Sequence, residues 1–421
     1  MNEDHELDVL DQAPVAMDEE RTPPDEPAWS WLRCWAFRIA FLFVLLFPMP
    51  GGKEVGMLAE WLGLGPVSST STGSGDTLHD WVKLLAFALV ALAAGTIWSL
   101  IDRRRRRPRV LFPLLLILAR YFLAMVSFSY GFAKVFKTQF PAPFLTRLVQ
   151  DYGDSSPMGL AWTFMGQSLP YNVFTGGGEV LGGLLLLFRR TRALGALVVV
   201  AVMSNVVMLN FCYDIPVKIN STYYLLLALG LLLPDLRRLA DVLVFNRRAE
   251  PADLSPYFGL RWANVATRVV KWLVIGWIAI PPAHRNWEGF QRLNDREGTP
   301  LYGIHEVESF LLDGEEVPPL LTDQRRWDSL IVEWPGGGMT RKLDGGIEFF
   351  RLELADDALT LSTQGESYPL ALARPEPGLM VLTGPWRDGQ ELEVRLREKD
   401  LNDFELVGRG FHWVSERPYN R

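Results

Sequence analysis

Two ionisable side chains, Arg120 and Glu179, stand inside long apolar runs of the chain. Each lies nine residues inside its run, counted from Leu111 and from Phe188, and a helical rise of about 1.5 Å per residue puts each roughly 14 Å deep. Because a charge at membrane depth is costly and usually faces protein or water, the two are predicted to pair on neighbouring helices. The pair either fixes the order of the helices or forms a centre that responds to protons or quinone.

Small and polar residues surround this predicted pair. The stretch FTGGGEVLGG puts three glycines before Glu179 and two after it, so a neighbouring helix is expected to come close. Two amides on the next apolar run, Asn205 and Asn210, continue the polar track at about 18 and 25 Å from the same face. For either amide, a plain interhelical hydrogen bond is the alternative.

A second polar cluster is predicted at the opposite ends of these runs. Tyr130 and Lys134 are four residues apart and share a helix face, while Asp214 and Lys218 belong to NFCYDIPVKINS, a polar stretch between two apolar runs. Asp214 is predicted to pair with Lys134 at the mouth of a cavity; an ordinary loop with snorkelling lysines is the alternative. The segment after Lys134 adds three polar groups: Gln139, Asp151 and Tyr152.

The chain has few signals for cofactor chemistry. The five histidines are scattered without ligand spacing, so no metal site is indicated. Cys34 and Cys212 are expected at opposite membrane faces, too far apart for a disulfide. No Gly-rich nucleotide loop follows a predicted strand, and no nucleic-acid partner is indicated. Redox chemistry would need a quinone or another cofactor supplied by a periplasmic or membrane partner protein.

Membrane helices are the elements that position these residues. Hydrophobic residues make up 49% of the 421 residues, and most of the excess precedes about residue 283, in runs near the ~20 residues that cross a bilayer. We predict seven crossings, of which the sixth is the shortest. They begin with the stretches WLRCWAF, WVKLLAF, VLFPLLL, YNVFTGG, ALGALVV, STYYLLL and VVKWLVI.

Positive charge falls in every second loop between these runs, and short cytoplasmic loops retain Lys and Arg. RRRRR at residues 103–107 and RRTR at residues 189–192 are two such loops. The N-terminus is therefore predicted in the cytoplasm and the C-terminal part outside it, in the periplasm if the cell is Gram-negative, with the protein in the inner membrane. Residues 1–28, rich in Asp and Glu, are predicted to be a disordered cytoplasmic tail.

From about residue 285 the apolar runs shorten to strand length. SLIVEW, IEFFRLEL, GLMVLTG and LEVRLRE are separated by PGGG, DGG and RDG, which are typical turn sequences. We predict an extracytoplasmic antiparallel β domain, a meander that curls into a barrel or half barrel. The aromatics of the final GFHWVSERPYNR are predicted to plug one end of the barrel, with an exposed binding rim as the alternative.

Two segments resemble the DoxX family of membrane proteins. ARYFLAMVSFSYGFAKVF is similar to that family's first helix, and GGGEVLGGLLLLFRRTRALGAL is similar to its second. The matched polar positions are Arg120, Gly131, Lys134, Glu179 and Arg192. The resemblance spans roughly residues 111–235 and implies a four-helix membrane domain, placed at residues 109–236. Two helices precede it at residues 29–108, and a cytoplasmic loop with one more helix follows at 237–284, before the β domain at 285–421.

Three functions remain open. The resemblance implies a link to thiosulfate:quinone oxidoreductase subunits, so the first is a component that handles quinone or a small sulfur compound. The second is a binding or assembly protein whose bundle anchors the β domain for a periplasmic partner. The third is a transporter or lipid-handling protein with a cavity between the middle helices.

Overall fold

The structure is a computed structural model that describes residues 29–67, 72–102, 110–252, 254 and 261–420. The predicted acidic tail at residues 1–28 and the arginine run at 103–107 lie outside the described residues. The helices before the β domain are α1 (Trp31–Leu46), α2 (Lys53–Trp61), α3 (Leu78–Ile101), α4 (Leu111–Val135), α5 (Leu145–Leu148), α6 (Pro157–Gln167), α7 (Leu169–Leu186), α8 (Arg192–Cys212), α9 (Lys218–Leu232), α10 (Leu236–Leu243) and α11 (Arg261–Asn294). A short helix, α12 (Glu405–Gly408), follows the strands.

Four spans are long and apolar enough to cross a membrane. Within the described residues they are Leu78–Ile101, Leu111–Val135, Arg192–Cys212 and Trp262–Gly298. Two of the other predicted crossings form shorter helices, with 16 residues in α1 and 15 in α9. The helical class of this part is therefore confirmed, while the count of seven crossings stays a prediction.

The described part of the chain divides into two compact units, and the first contains residues 29–50, 84–102 and 110–113. In this unit α1 packs against the second half of α3. The indole N–H of Trp35 donates to the hydroxyl of Thr96 at 2.9 Å. Nη2 of Arg38 lies 3.0 Å from a carboxylate oxygen of Asp102. These two polar contacts set the alignment of the two helices.

The second unit contains the described residues of 51–83 and 114–420, and its long helices pack through glycines. A Cβ on Gly176 would lie 2.6 Å from the carbonyl oxygen of Gly131, so α4 and α7 touch through their backbones. A Cβ on Gly182 would lie 2.8 Å from the side chain of Val199 of α8. The expectation that the glycines around Glu179 admit a close neighbour is confirmed.

The C-terminal part of the second unit is an antiparallel β-barrel. Its strands are β1 (Gly303–Leu312), β2 (Glu315–Glu316), β3 (Trp327–Trp334), β4 (Gly337–Lys342), β5 (Ile347–Ala355), β6 (Ala358–Thr363), β7 (Glu366–Glu376), β8 (Leu379–Pro385) and β9 (Glu391–Glu398). From β3 to β9 neighbours follow in chain order, and β1 pairs with both β3 and β9, which closes a barrel of eight strands. The short β2 pairs with β1. The predicted antiparallel β domain is confirmed, and it is a closed barrel.

Side chains fill the interior of the barrel. In β7 the buried positions alternate as Tyr368, Leu370 and Leu372, the pattern of a strand with one face inside. Aromatic rings pack together in this core: the ring centre of Trp386 lies 5.2 Å from that of Trp327 and 4.4 Å from that of Tyr368. The interior is therefore a packed core.

The aromatics of the final segment do not plug the barrel. Phe411 and Trp413 are 77% and 91% exposed, so the predicted plug is wrong. The closing strand β9 ends at Glu398, and the chain then leaves the barrel wall. Trp327 and Trp386, from strand β3 and the turn after β8, supply the buried rings of the core instead. The alternative, an exposed aromatic rim, agrees with the exposure of the final segment.

Candidate functional site

The barrel packs on the segment that joins α4 to α6. In this segment Leu145 of α5 is 1% exposed and packs with Ile304, Ile331 and Met339 on the outer surface of the barrel. Strand β3 is buried on both faces, because Leu330 belongs to the barrel core while Ile331 faces α5. The barrel and the α4–α6 connection therefore share a second, smaller core.

Glu333 fixes this contact. Its Oε1 accepts a hydrogen bond from the backbone N–H of Leu145 at 2.9 Å and lies 3.4 Å from Nη1 of Arg296. The side chains of Glu333 and Arg296 are 2% and 5% exposed. The guanidinium of Arg296 also lies 5.1 Å from the ring centre of Phe144. One carboxylate thus joins strand β3, the α5 segment and the turn after α11.

Burial shifts the pKa of two ionisable groups near Arg296. Burial raises the pKa of Glu333, although the N–H of Leu145 and the positive Arg296 oppose the shift. Burial lowers the pKa of Lys137, and the positive Arg296 adds to that effect. The charged forms of both Glu333 and Lys137 are therefore disfavoured around one permanent cation.

A cavity of about 600 Å³ opens between the α5 segment and strands β3–β5. Its apolar lining is formed by Phe144, Val149, Trp334, Met339, Ile347 and Phe349. Its charged and amide lining is formed by Arg147, Gln150, Asp151, Asp154, Glu333, Arg341 and Asp344. The volume lies in the range of small-molecule pockets, and the mixed lining suits an amphipathic ligand.

Arg341 joins the two walls of this cavity. Its Nη1 lies 2.9 Å from Asp328 of β3, and its Nη2 lies 3.9 Å from Asp151 beyond α5. Since the side chain of Asp151 is 79% exposed, the second contact is weak. Of the other two polar groups predicted in this segment, Tyr152 is 80% exposed and Gln139 is half-buried.

Inside the helical bundle Lys134 pairs with Glu179. Its Nζ lies 2.8 and 2.9 Å from the two carboxylate oxygens, and the side chains are 8% and 1% exposed. Nζ also lies 5.7 Å from the ring centre of Tyr130. A Cβ on Gly176 would lie 2.7 Å from the Cβ of Lys134, so the lysine crosses α7 one turn from Glu179.

The predicted pair of Arg120 with Glu179 is therefore wrong. Arg120 precedes Lys134 by fourteen residues on α4, roughly 21 Å along the helix axis. The prediction assumed that α4 and α7 end in one plane. Since α4 has 25 residues and α7 has 18, equal distances from the two ends do not give equal depths.

The predicted pair of Lys134 with Asp214 is also wrong. Asp214 lies on the turn after α8 with a φ of 50°, and its carboxylate, 88% exposed, is 3.0 Å from Nζ of Lys218. Asp76 accepts hydrogen bonds from the backbone N–H groups of Lys218 and Ile219 at 2.7 and 2.9 Å. NFCYDIPVKINS is thus a turn between α8 and α9 that Asp76 closes, and it does not reach Lys134.

The two amides of α8 lie in different environments. Asn210 is buried and donates to the hydroxyl of Ser221 on α9 at 2.9 Å, which is the interhelical hydrogen bond given above as the alternative. Asn205 lies on the exposed side of α8. The two therefore do not form one polar track.

Three residues of these contacts had no place in the sequence predictions: Asp76, Arg296 and Glu333. Glu333 had a signal, because it interrupts SLIVEW, an apolar run without alternation that is typical of a strand buried on both faces. Asp76 and Arg296 lie in polar turns, where charged residues are common and give no distinct signal. Within the described residues, no group of three or more His, Cys, Asp or Glu side chains is placed to hold a metal ion.

Comparison with known proteins identifies a relative whose activity is not known. No family model matches the chain, and no solved structure matches it. An uncharacterized protein of Bacillus subtilis, YwoB, is 38% identical over 136 residues, which make up 32% of this chain and 82% of that protein. The match therefore spans most of YwoB and leaves two thirds of this chain without a counterpart in it.

Proposed function

From the geometry we propose that this protein is a membrane-anchored binding protein. The chain belongs to one family with the uncharacterized protein YwoB, and this relationship assigns no activity to it. The proposed ligand site is the cavity of about 600 Å³ between the α5 segment and strands β3–β5, and this cavity is the observation on which the proposal rests. The barrel interior is filled, so a ligand of the β domain would bind on an outer surface such as this cavity. Leu145 and Glu333 hold its two walls together.

The lining favours a small amphipathic ligand. Trp334 and Phe349 are 39% and 68% exposed, so both offer ring surface that a ligand can cover. Carboxylates outnumber guanidinium groups among the charged lining residues. That balance favours a ligand whose polar end is neutral or cationic. The weak contact between Arg341 and Asp151 offers two groups that can turn towards it.

Two matched variants on one strand test the site. Ile347 lines the cavity and Leu354 does not, although both lie on β5 and are 48% and 40% exposed. Full-length protein would be purified in a mild detergent, and small molecules released by denaturation would be identified by mass spectrometry. We expect a bound small molecule in the wild type and in Leu354→Trp, and its loss in Ile347→Trp. The same recovery from all three proteins, or none from the wild type, would contradict the proposal.

The proposal includes an orientation, with the N-terminus in the cytoplasm and the barrel outside it. Every second loop between the apolar runs is basic, and this alternation supports the orientation. It is tested by fusing a reporter to residue 421 of the full chain. A phosphatase that works only after export should be active there, and a fluorescent protein that folds only in the cytoplasm should be dark. The reverse result would place the barrel in the cytoplasm.

A second candidate is a component of a quinone- or sulfur-compound oxidoreductase that relies on a partner protein. The buried Lys134–Glu179 pair beside Tyr130 favours it, because ionisable groups at membrane depth often take part in proton transfer. The resemblance to the DoxX family points the same way. Organic extraction of the purified protein should then yield quinone from the wild type and less from Glu179→Gln. A wild type free of quinone, with redox-linked growth unaltered in Glu179→Gln, would remove this candidate.

A further inference from the structure

Arg120 is a buried cation that has no counter-ion among the described residues. Its side chain is 6% exposed, and among the described residues no carboxylate or carbonyl oxygen lies within hydrogen-bond distance of its buried Nε. The guanidinium lies 5.0 Å from the ring centre of its neighbour Tyr121. Because this Nε is buried, water is a poor substitute for the missing partner at this place.

A second cation, which is half-buried, lies on α11. Lys271 lies within electrostatic reach of Arg120, and its Nζ is 4.2 Å from the ring centre of Phe188 at the end of α7. In the described part of the chain no Asp or Glu forms an ion pair with it. Two like charges that repel each other therefore occur together, and an anion between them would relieve both.

The depth of the two cations follows from how α4 and α11 run. The helices meet at the rings of Phe136 and Trp287, whose centres are 5.8 Å apart. Arg120 precedes Phe136 by sixteen residues, and Lys271 precedes Trp287 by sixteen residues. Both cations therefore lie at the same level, roughly 24 Å along the helices from that contact. Where the Phe136–Trp287 contact lies at one face of a hydrocarbon layer of about 30 Å, this level is near the opposite face.

The surface of α11 around Lys271 is apolar. Val269, Val270, Trp272 and Leu273 are 54%, 57%, 60% and 68% exposed. A free inorganic anion would satisfy the two charges and leave this surface uncovered. A phospholipid supplies both parts, since its phosphate can accept from Arg120 and Lys271 while its acyl chains lie along α11.

We propose that Arg120 and Lys271 form a binding site for the phosphate of an anionic phospholipid between α4 and α11. The site differs from the cavity beside the barrel in place and in ligand charge. Arg120 is the more buried group, and its planar guanidinium can hold two phosphate oxygens at once. Lys271 is half-buried, so it meets the headgroup from the lipid side.

Native mass spectrometry of the full-length protein in a neutral detergent tests the site. Phosphatidylglycerol, phosphatidylcholine and inorganic phosphate would each be titrated separately. We expect Arg120→Gln and Lys271→Gln to weaken phosphatidylglycerol binding about tenfold each, since each removes a charge-assisted contact. Arg268→Gln serves as the matched control, because Arg268 is an exposed cation one turn from Lys271 and should leave binding unchanged.

Three results would overturn the proposal. If Arg268→Gln weakens binding as much as Lys271→Gln, the lipid follows general surface charge. If phosphatidylcholine binds the wild type as tightly as phosphatidylglycerol, the net charge of the lipid is not recognised. If inorganic phosphate alone binds the wild type and Arg120→Gln abolishes that binding, the ligand is a free anion. Because Lys271 is half-buried, Lys271→Gln should fold even if Arg120→Gln does not, and it then decides the question with Arg268→Gln.

Discussion

Lys134 and Glu179 bring opposite charges together where neither side chain reaches water. Removing two charges from water is costly, and their attraction offsets that cost only while both are present. Loss of one partner leaves the other buried without compensation, whereas loss of both leaves an apolar contact. The pair therefore makes one alignment of α4 on α7 much more stable than alignments in which the helices are shifted.

We expect Glu179→Gln to lower the free energy of unfolding by about 3 kcal/mol, because Lys134 keeps its charge and loses its carboxylate. The double variant Lys134→Met with Glu179→Leu should recover most of that loss. Unfolding of the full-length protein in detergent measures both values. A double variant as unstable as Glu179→Gln would show that the side chains matter for their shape and not for their charge.

Glu333 makes the contact between the barrel and α5 depend on pH. Burial raises its pKa above 4.5 in the folded protein, so over a window above 4.5 the folded state holds a proton that the unfolded state has released. The stability that this group contributes is present below that window and is lost as the pH rises through it. We expect the melting temperature of the wild type, relative to that of Glu333→Gln, to fall as the pH rises above the ordinary pKa of a glutamate. A difference that stays constant over this range would contradict the raised pKa.

At the scale of elements, the closeness of α4 and α7 depends on one glycine of a row of three. A Cβ on Gly176 would lie 2.6 Å from the carbonyl oxygen of Gly131, whereas a Cβ on Gly177 would meet nothing within 4 Å. The two glycines are adjacent in sequence and in the same helix. Replacing each by alanine therefore separates the packing effect from the effect on helix propensity.

We expect Gly176→Ala to lower the melting temperature and to cost about 1–3 kcal/mol, because the helices must move apart. Gly177→Ala should be neutral or should stabilise the protein by up to about 1 kcal/mol, since alanine favours the helix. Thermal unfolding of both variants in the same detergent checks the order. If both lose the same stability, the backbone contact between α4 and α7 is not what the glycines provide.

The elements differ in how well local sequence predicts them. The barrel could be predicted because alternation and turn chemistry recur in nearly every strand, for example at Leu370 and Leu372 of β7. The partner of Glu179 could not, because the depth of a side chain depends on where its helix ends relative to its neighbours, and no local pattern contains that information. Aromatic residues at the chain end were also misleading, since Trp413 has the composition of a core residue and 91% of it is exposed.

At the scale of the whole molecule, the cavity beside the barrel joins parts of the chain that local patterns cannot connect. Its walls come from residues 144–154 and 333–349, nearly two hundred positions apart. The sequence does contain one signal, the charged Glu333 in SLIVEW. The reason for this charge becomes clear only in the structure, where α5 covers the outer face of β3. A barrel that closes on its own hydrogen bonds and core should keep its fold when that cover is removed.

Leu145→Asp tests this independence of the barrel. The aspartate would enter the small core beside Ile331 and Met339 and add a second buried carboxylate next to Glu333, so α5 should detach at a cost on the order of 3–5 kcal/mol. In hydrogen exchange followed by mass spectrometry, peptides of residues 144–154 should exchange at least about tenfold faster, because an opening cost of 1.4 kcal/mol less already gives that factor. Peptides of β6, β7 and β8 should be unchanged, since these strands lie away from α5 and pair with each other.

Leu321→Asp, at a position 69% exposed in the turn before β3, is the matched control and should leave all of these rates as they are. Faster exchange throughout β6–β8 in Leu145→Asp would mean that the barrel needs its contact with α5 to stay folded.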